Sequence, residues 1–163
     1  MDKQLSITRG KDAHYVLRSQ TTVESDVIDT FAFFADAENL NLIIPDWLKF
    51  TIVSDTPINM HSGTQIEYRL KIHGFPVKWR SEISLWDPPY KFVDTQIKGP
   101  YIMWSHMHTL EISPYGGTIV NDCVKYKVPF GRLTNRLFVA RDLLRIFRYR
   151  NDATQKALRS NSS

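Results

Sequence analysis

Cysteine is almost absent. Cys123 is the only one in 163 residues, so no internal disulfide can form and a reducing compartment is the natural setting. No apolar run approaches the ~20 residues needed to span a bilayer. The opening stretch, MDKQLSITRGKDAHYV, holds no apolar signal core, and the expected location is the cytoplasm. Internal repeats, low-complexity tracts and dividing linkers are missing, so residues 1–163 read as a single domain with one full-sized core. Walker, Rossmann and nucleophile-elbow patterns are also missing. Gly116-Gly117 reads as a hairpin turn rather than a phosphate cradle, because no helix follows it. What is present is ordinary: 42% hydrophobic, 23% charged and 12% aromatic residues, which excludes disordered, collagen-like and coiled-coil classes.

The formal charge of +4 is unevenly placed. Residues 130–163 carry eight basic and two acidic side chains, a net of +6, which leaves residues 1–129 at −2. The basic excess therefore belongs to one segment and needs a local explanation.

Hydrophobic periodicity changes twice along the chain. His14 to Val23 reads as a strand, followed by turn and N-cap candidates Glu24, Ser25 and Asp26. Val27, Phe31, Phe34 and Ala35 then fall at helical spacing, and a second helical turn from Asn39 to Ile43 ends before Pro45. From Leu48 the period becomes two. Ile66, Tyr68, Leu70 and Ile72 share one face, and after a turn at His73-Gly74 so do Val77, Trp79, Ser81, Ile83 and Leu85. Further strands are predicted over Tyr90–Lys98, Ile102–Ser113 and Thr118–Val128. After Pro129-Phe130-Gly131 the period returns to 3.6, and Leu133, Leu137, Ala140, Leu144 and Phe147 form one apolar seam over a helix of roughly 131–158. The sum is an α+β arrangement in which one long helix lies across a curved antiparallel sheet. Such a sheet leaves a space under the helix, the candidate ligand site.

Polar residues occupy the apolar phase of three neighbouring strands. Trp104, His106, His108, Leu110 and Ile112 alternate in one; Phe92, Asp94 and Gln96 in the next; Val120, Asp122, Val124 and Tyr126 in the third. Three readings of Asp94, Gln96, His106, His108 and Asp122 stand side by side. They can satisfy one another as a buried polar network, since an unpaired buried polar group costs ~1–3 kcal/mol. They can form the polar end of an apolar pocket, with Tyr68, Trp79, Trp104 and Tyr126 as its walls. A histidine tuned by a carboxylate can also act as an acid or base. A His-x-His pair places two potential metal ligands on one face, but no third is assured, and neither metal nor cofactor is expected. Cys123 lies in the outward phase without a catalytic partner.

On a helical wheel Arg141, Arg145, Arg148, Lys156 and Arg159 cluster on one flank of the last helix. That flank reads first as a solvated face and second as a weak surface for an anionic membrane or acidic partner. Nucleic acid is not expected, because no basic residues elsewhere extend the stripe into a groove.

The segments Phe31-x-x-Phe34-x-x-x-x-Asn39-Leu40, Phe92-x-Asp94-x-Gln96-x-x-Gly99-Pro100, Trp104-x-His106-x-His108 and Pro129-Phe130-Gly131 with its helix resemble the START-like (SRPBCC) superfamily. Within it they are most similar to bacterial polyketide cyclase/dehydrase-type and ligand-binding proteins. The resemblance implies a helix-grip fold: a curved seven-stranded antiparallel sheet around the C-terminal helix, two short helices between strands 1 and 2, and a deep apolar cavity. It also implies binding of a lipid, quinone or polyketide-like molecule, with a minority of members catalysing cyclisation or dehydration. The leading expectation is a binding protein in which Asp94, Gln96, His106 and His108 hydrogen-bond an oxygen of the ligand. The alternative is a cyclase/dehydrase-like enzyme using His106 or His108 with Asp94 or Asp122.

Overall fold

Alternation of apolar and polar residues is resolved in space as a single eight-stranded antiparallel sheet. The computed structural model describes residues 5–159. Strand β1 (Ser6–Arg9) pairs with β2 (Tyr15–Val23), which is followed by helix α1 (Val27–Ala35) and the short α2 (Leu40–Ile43). Strands β3 (Thr51–Ile52), β4 (Gln65–Ile72), β5 (Phe75–Asp87), β6 (Lys91–Lys98), β7 (Met103–Ile112) and β8 (Thr118–Lys127) then run as a meander. The spatial order is β1-β2-β8-β7-β6-β5-β4-β3, so β8 returns to lie beside β2.

The sheet has one strand more than the seven expected. The extra one is β1, four largely exposed residues whose alternation is too short to register in sequence. In this count the two short helices lie between β2 and β3. Asp26 caps α1 by accepting a hydrogen bond from the Asp29 N–H at 2.9 Å, and Val27, Phe31 and Phe34 turn inward. His73 and Gly74, at φ +50° and +81°, make the two-residue turn between β4 and β5, where both positions need the left-handed region.

Strand β5 departs from strict alternation. Its register against β6 shifts between Arg80 and Ser81 and again between Ile83 and Leu85. The second shift turns Leu85 outward, contrary to its sequence phase, and lets Trp86 pack on Phe31 and Phe92. Such bulges bend the strand and help the sheet curve.

The C-terminal helix spans 27 residues in three parts: α3 (Gly131–Thr134), a π-helical turn (Asn135–Val139) and α4 (Ala140–Ala157). The expected seam is corrected at its start, for Leu133 is 67% and Leu137 51% exposed. The wider π turn adds a residue to the winding, which rotates everything before it by about 100° relative to a continuous α-helix. Asn135 turns inward instead, and α4 buries Leu143, Phe147, Asn151 and Thr154.

Two apolar clusters fill the concave side. Tyr15, Leu17, Trp79, Trp104, Val124 and Tyr126 pack with Leu143 and Phe147 of α4. Val23, Val27, Phe31, Phe34, Phe92, Leu110 and Val120 pack under α1. Each fully buried large side chain contributes about 1.5–3 kcal/mol. Along β7 and β8 the residues between the clusters are His106, His108 and Asp122, so the polar groups form a band across an apolar interior.

Candidate functional site

Strand pairing sets the band. His108 faces Phe92 on β6 and Asp122 on β8, while His106 faces Asp94 and Val124. His106 Nε2 lies 2.7 Å from Asp122 Oδ1. An ionised carboxylate only accepts, so this His106 nitrogen carries the hydrogen and donates. His108 Nδ1 lies 3.1 Å from the same oxygen, close enough for attraction but without the alignment of a hydrogen bond. The two imidazoles are stacked, with centroids 3.7 Å apart.

The charge states follow. Burial alone would raise the Asp122 carboxyl, but the hydrogen bond from His106, with His108 Nδ1 close to the same oxygen and the Arg150 charge adding to it, reverses this and holds it well below the ordinary range. Burial, reinforced by the neighbouring His106, pulls His108 down to about 3 and keeps it neutral. Asp94 goes the other way. Burial raises its carboxyl against the Ser81 hydroxyl and the more distant His106 and Arg150, and its Oδ1 is buried without a hydrogen-bond partner.

A cavity of about 500 Å³ lies between the sheet and the C-terminal helix. Tyr68, Trp79 and Trp104 form its sheet side, Leu143, Ile146 and Phe147 its helix side, and Ile43, Ile44 and Trp47 a third wall. Tyr68 and Trp79 stack at 5.9 Å, and the Tyr68 hydroxyl and Trp79 Nε1–H both meet Ser81 Oγ, at 2.9 and 3.0 Å. The polar groups on the wall include Asp94, His106, Tyr68 and Arg150. A shallower depression of about 450 Å³ near Asp87, Tyr90 and Lys91 is open to solvent and gathers no buried polar groups.

Of the nine candidate residues, Tyr68, Trp79, Asp94, Trp104 and His106 line the cavity. The other four do not. His108 and Asp122 sit behind His106 within the sheet, and Tyr126 is fully buried with its hydroxyl donating to Asn135 Oδ1 at 2.8 Å. Gln96 folds back on its own turn. Its Nε2 donates to the Tyr101 carbonyl at 2.8 Å, and its Oε1 accepts from the Tyr101 N–H. Gly99 makes room for this, since a Cβ there would run into the Gln96 amide.

Sequence reasoning missed Arg150, which it counted only in the net charge of residues 130–163. The signal was available: Arg150 stands three residues after Phe147 and four after Ile146, on the inward side of α4. Its guanidinium carbon lies 5.7 Å from the Phe34 ring centroid and 5.9 Å from that of Phe147. Trp47 was also missed. It shields the mouth, with Arg145 stacked 4.2 Å over its ring and Tyr149 edge-on at 5.6 Å. Across the opening, His73 Nε2 meets Asp142 Oδ2 at 2.5 Å, joining the β4–β5 turn to α4.

His106, His108 and Asp122 bring three potential metal-ligand atoms within 4.8 Å of one another, and Asp122 is the third group the sequence left open. An imidazole binds a metal in its own ring plane, at about 2.0–2.1 Å. Two rings stacked at 3.7 Å and tilted by only 30° do not aim at one such point. As arranged, Asp122 accepts from His106 and orients it, with His108 beside the same oxygen.

No family model and no curated protein matches this sequence. Solved structures do. Protein Ms6760 from Mycobacterium smegmatis has 14% identity and a TM-score of 0.69, with 94% of this chain and 97% of that one covered. Ginseng major latex-like protein 151 from Panax ginseng has 12% identity and a TM-score of 0.66, covering 90% and 98%. Zhui aromatase/cyclase from a Streptomyces species has 13% identity and a TM-score of 0.70, covering 89% and 93%. At these identities the likeness is one of fold.

Proposed function

We propose that this chain, an SRPBCC-type helix-grip fold, binds and sequesters a small, largely apolar molecule in the cavity under its C-terminal helix. One observation carries the reading: a space of about 500 Å³ walled largely by aromatic and aliphatic side chains, with polar groups that include Asp94, His106, Tyr68 and Arg150. That size and that ratio of apolar to polar lining suit a small-molecule site, in which polar groups orient what apolar contact holds. A lipid, a quinone and a polyketide-like ring system all meet this description. His106 and Asp94 would hold a carbonyl or hydroxyl oxygen, and the Trp79 and Trp104 rings would cover the ligand's flat or aliphatic body. With its lone cysteine, the protein would act in a reducing cytoplasm.

Titrating the protein with quinones, fatty acids and aromatic ketones, read by quenching of Trp79 and Trp104 fluorescence, tests the reading. Saturable quenching by one class is the expected result. No response from any class, together with no co-purifying ligand in native mass spectrometry, would overturn it.

A cyclase/dehydrase-like activity is the second reading. Its support is the 2.7 Å pairing of His106 with Asp122, a histidine on the cavity wall oriented by a buried carboxylate, as a general base requires. The aromatase/cyclase neighbour has the same fold. In that case His106→Gln would abolish turnover without necessarily abolishing binding.

Among the described residues no helix is long and apolar enough to cross a membrane. Contact with an anionic membrane surface through Arg141, Arg145 and Arg148 is the partner reading we favour. Phe130, Leu133, Leu137 and Phe138 are exposed on the same helix, next to the cavity-lining Thr134 and Val139.

A further inference from the structure

Arg150 and Asp94 stand on opposite elements, α4 and β6, and both line the cavity. Their charges influence one another, yet they form no ion pair, and among the described residues Arg150 has no carboxylate within ion-pair distance. Arg150 is half-buried, and its guanidinium faces the Phe34 and Phe147 rings. Arginine does not shed its proton in proteins, so it cannot escape this position by becoming neutral. A charge taken out of water without a partner is costly, and aromatic faces compensate by only ~0.5–2 kcal/mol. The buried Asp94 Oδ1, also without a partner, is a second unsatisfied polar atom on the same wall. Asp122 does not answer Arg150 at contact, because it lies off the wall and accepts from His106.

From this geometry we infer that the ligand is an amphipathic acid, its carboxylate seated between Arg150 and Asp94 and its apolar body lying along Trp79 and Trp104. This rests on the ligand-binding reading above and narrows it. A carboxylate gives the guanidinium the flat two-oxygen acceptor it matches, by paired N–H···O bonds. Burial favours the protonated form of the Asp94 carboxyl, and in that form it donates its hydrogen to the same group. A neutral ester or ketone offers Arg150 one weak acceptor and leaves the charge unpaired.

Matched pairs test it: dodecanoic acid against methyl dodecanoate, and 2-naphthoic acid against methyl 2-naphthoate, titrated at neutral pH by tryptophan fluorescence. The acid of at least one pair should bind tenfold or more tightly than its ester. Arg150→Met keeps the packing of the stem and should bring acid and ester within about twofold of each other, chiefly by loss of acid affinity. Arg150→Lys, which retains the charge, should keep part of the preference and guards against a packing artefact. Equal binding of acid and ester to the wild type would sink the acid proposal and leave the cavity reading standing. A preference that survives in Arg150→Met would sink it too. Binding of neither acid nor ester, nor of any member of the earlier panel, would remove both.

Discussion

The His108 imidazole lies flat on the Phe92 ring, 4.1 Å between centroids and 11° between planes, in a fully dehydrated position. Burial and the neighbouring His106 favour the uncharged ring, and the folded state holds it at about 3 against about 6.5 in an unfolded chain. Between those values the unfolded chain carries a proton that the folded one lacks, so stability falls as pH falls. The slope approaches ~1.4 kcal/mol per pH unit for this one group. Urea unfolding of the wild type at several pH values from 7 to 4 should show that loss. His108→Leu should flatten the profile above pH 4; an unchanged slope would place the titration elsewhere.

Asp122 is the acceptor that His106 uses and the one that faces His108. Removing that acceptor leaves the buried His106 N–H unsatisfied, at about 1–3 kcal/mol, because it has no water to turn to. Asp122→Ala should therefore be clearly destabilising. The double variant Asp122→Val, His106→Phe removes both polar partners and should be less unstable than Asp122→Ala alone. Chemical denaturation of the three proteins compares them; a cost below about 1 kcal/mol for Asp122→Ala would show that the network is not holding the sheet together.

How much of this was legible depended on whether a local rule held without interruption. His106 and His108 could be placed inward because β7 alternates cleanly from Trp104 to Leu110, with no bulge to change its phase. Gln96 could not be placed, because the β6–β7 pairing ends at Thr95, and beyond it the side chain answers to the Gly99-Pro100 turn. The pocket-ward face of the last helix was misread at its start, since no residue type announces a π turn, and Leu133 and Leu137 keep perfect α spacing while pointing at solvent. Arg150 was overlooked because charge was treated as a property of a segment, when its meaning depends on which side of α4 each arginine leaves. Asp122 could be grouped with the histidines from the phase of its own strand, but its bond to His106, sixteen residues away, depends on the register between β7 and β8, which periodicity within one strand does not encode.

The Tyr126 hydroxyl and Asn135 Oδ1, 2.8 Å apart and buried, tie β8 to the π turn. Truncating either leaves the other unsatisfied, at ~1–3 kcal/mol. Tyr126→Phe and Asn135→Ala should each destabilise by that amount. Their double variant should cost less than the sum, and additivity in that cycle would show the bond contributes nothing.

Trp47 shields the mouth by stacking under Arg145, at 4.2 Å, and meeting the Tyr149 edge. Shortening it removes the cover without touching Asp94 or His106. Trp47→Ala should raise the dissociation rate of a bound fatty acid in stopped-flow displacement several-fold, with a smaller change in equilibrium affinity. Unchanged kinetics would mean that ligands pass elsewhere.

The helix that covers the cavity carries both ingredients of a surface anchor. Phe130, Leu133, Leu137 and Phe138 are exposed, and Arg141 and Arg148 are exposed on the following turns, whereas Arg145 is engaged with Trp47. Near an anionic bilayer each such arginine is worth about 1 kcal/mol, an attraction confined to a Debye length of ~10 Å or less at physiological salt. Losing two costs about 2 kcal/mol, roughly 30-fold in binding. Sedimentation with phosphatidylcholine vesicles, with and without phosphatidylserine, separates the two contributions. The wild type should bind only the anionic vesicles at low salt, and release as salt rises. Arg141→Glu with Arg148→Glu should abolish that binding, and Leu137→Ser with Phe138→Ser should weaken it without changing its salt dependence. If the wild type ignores anionic vesicles even at low ionic strength, these exposed residues serve another purpose and ligands reach the cavity from solution.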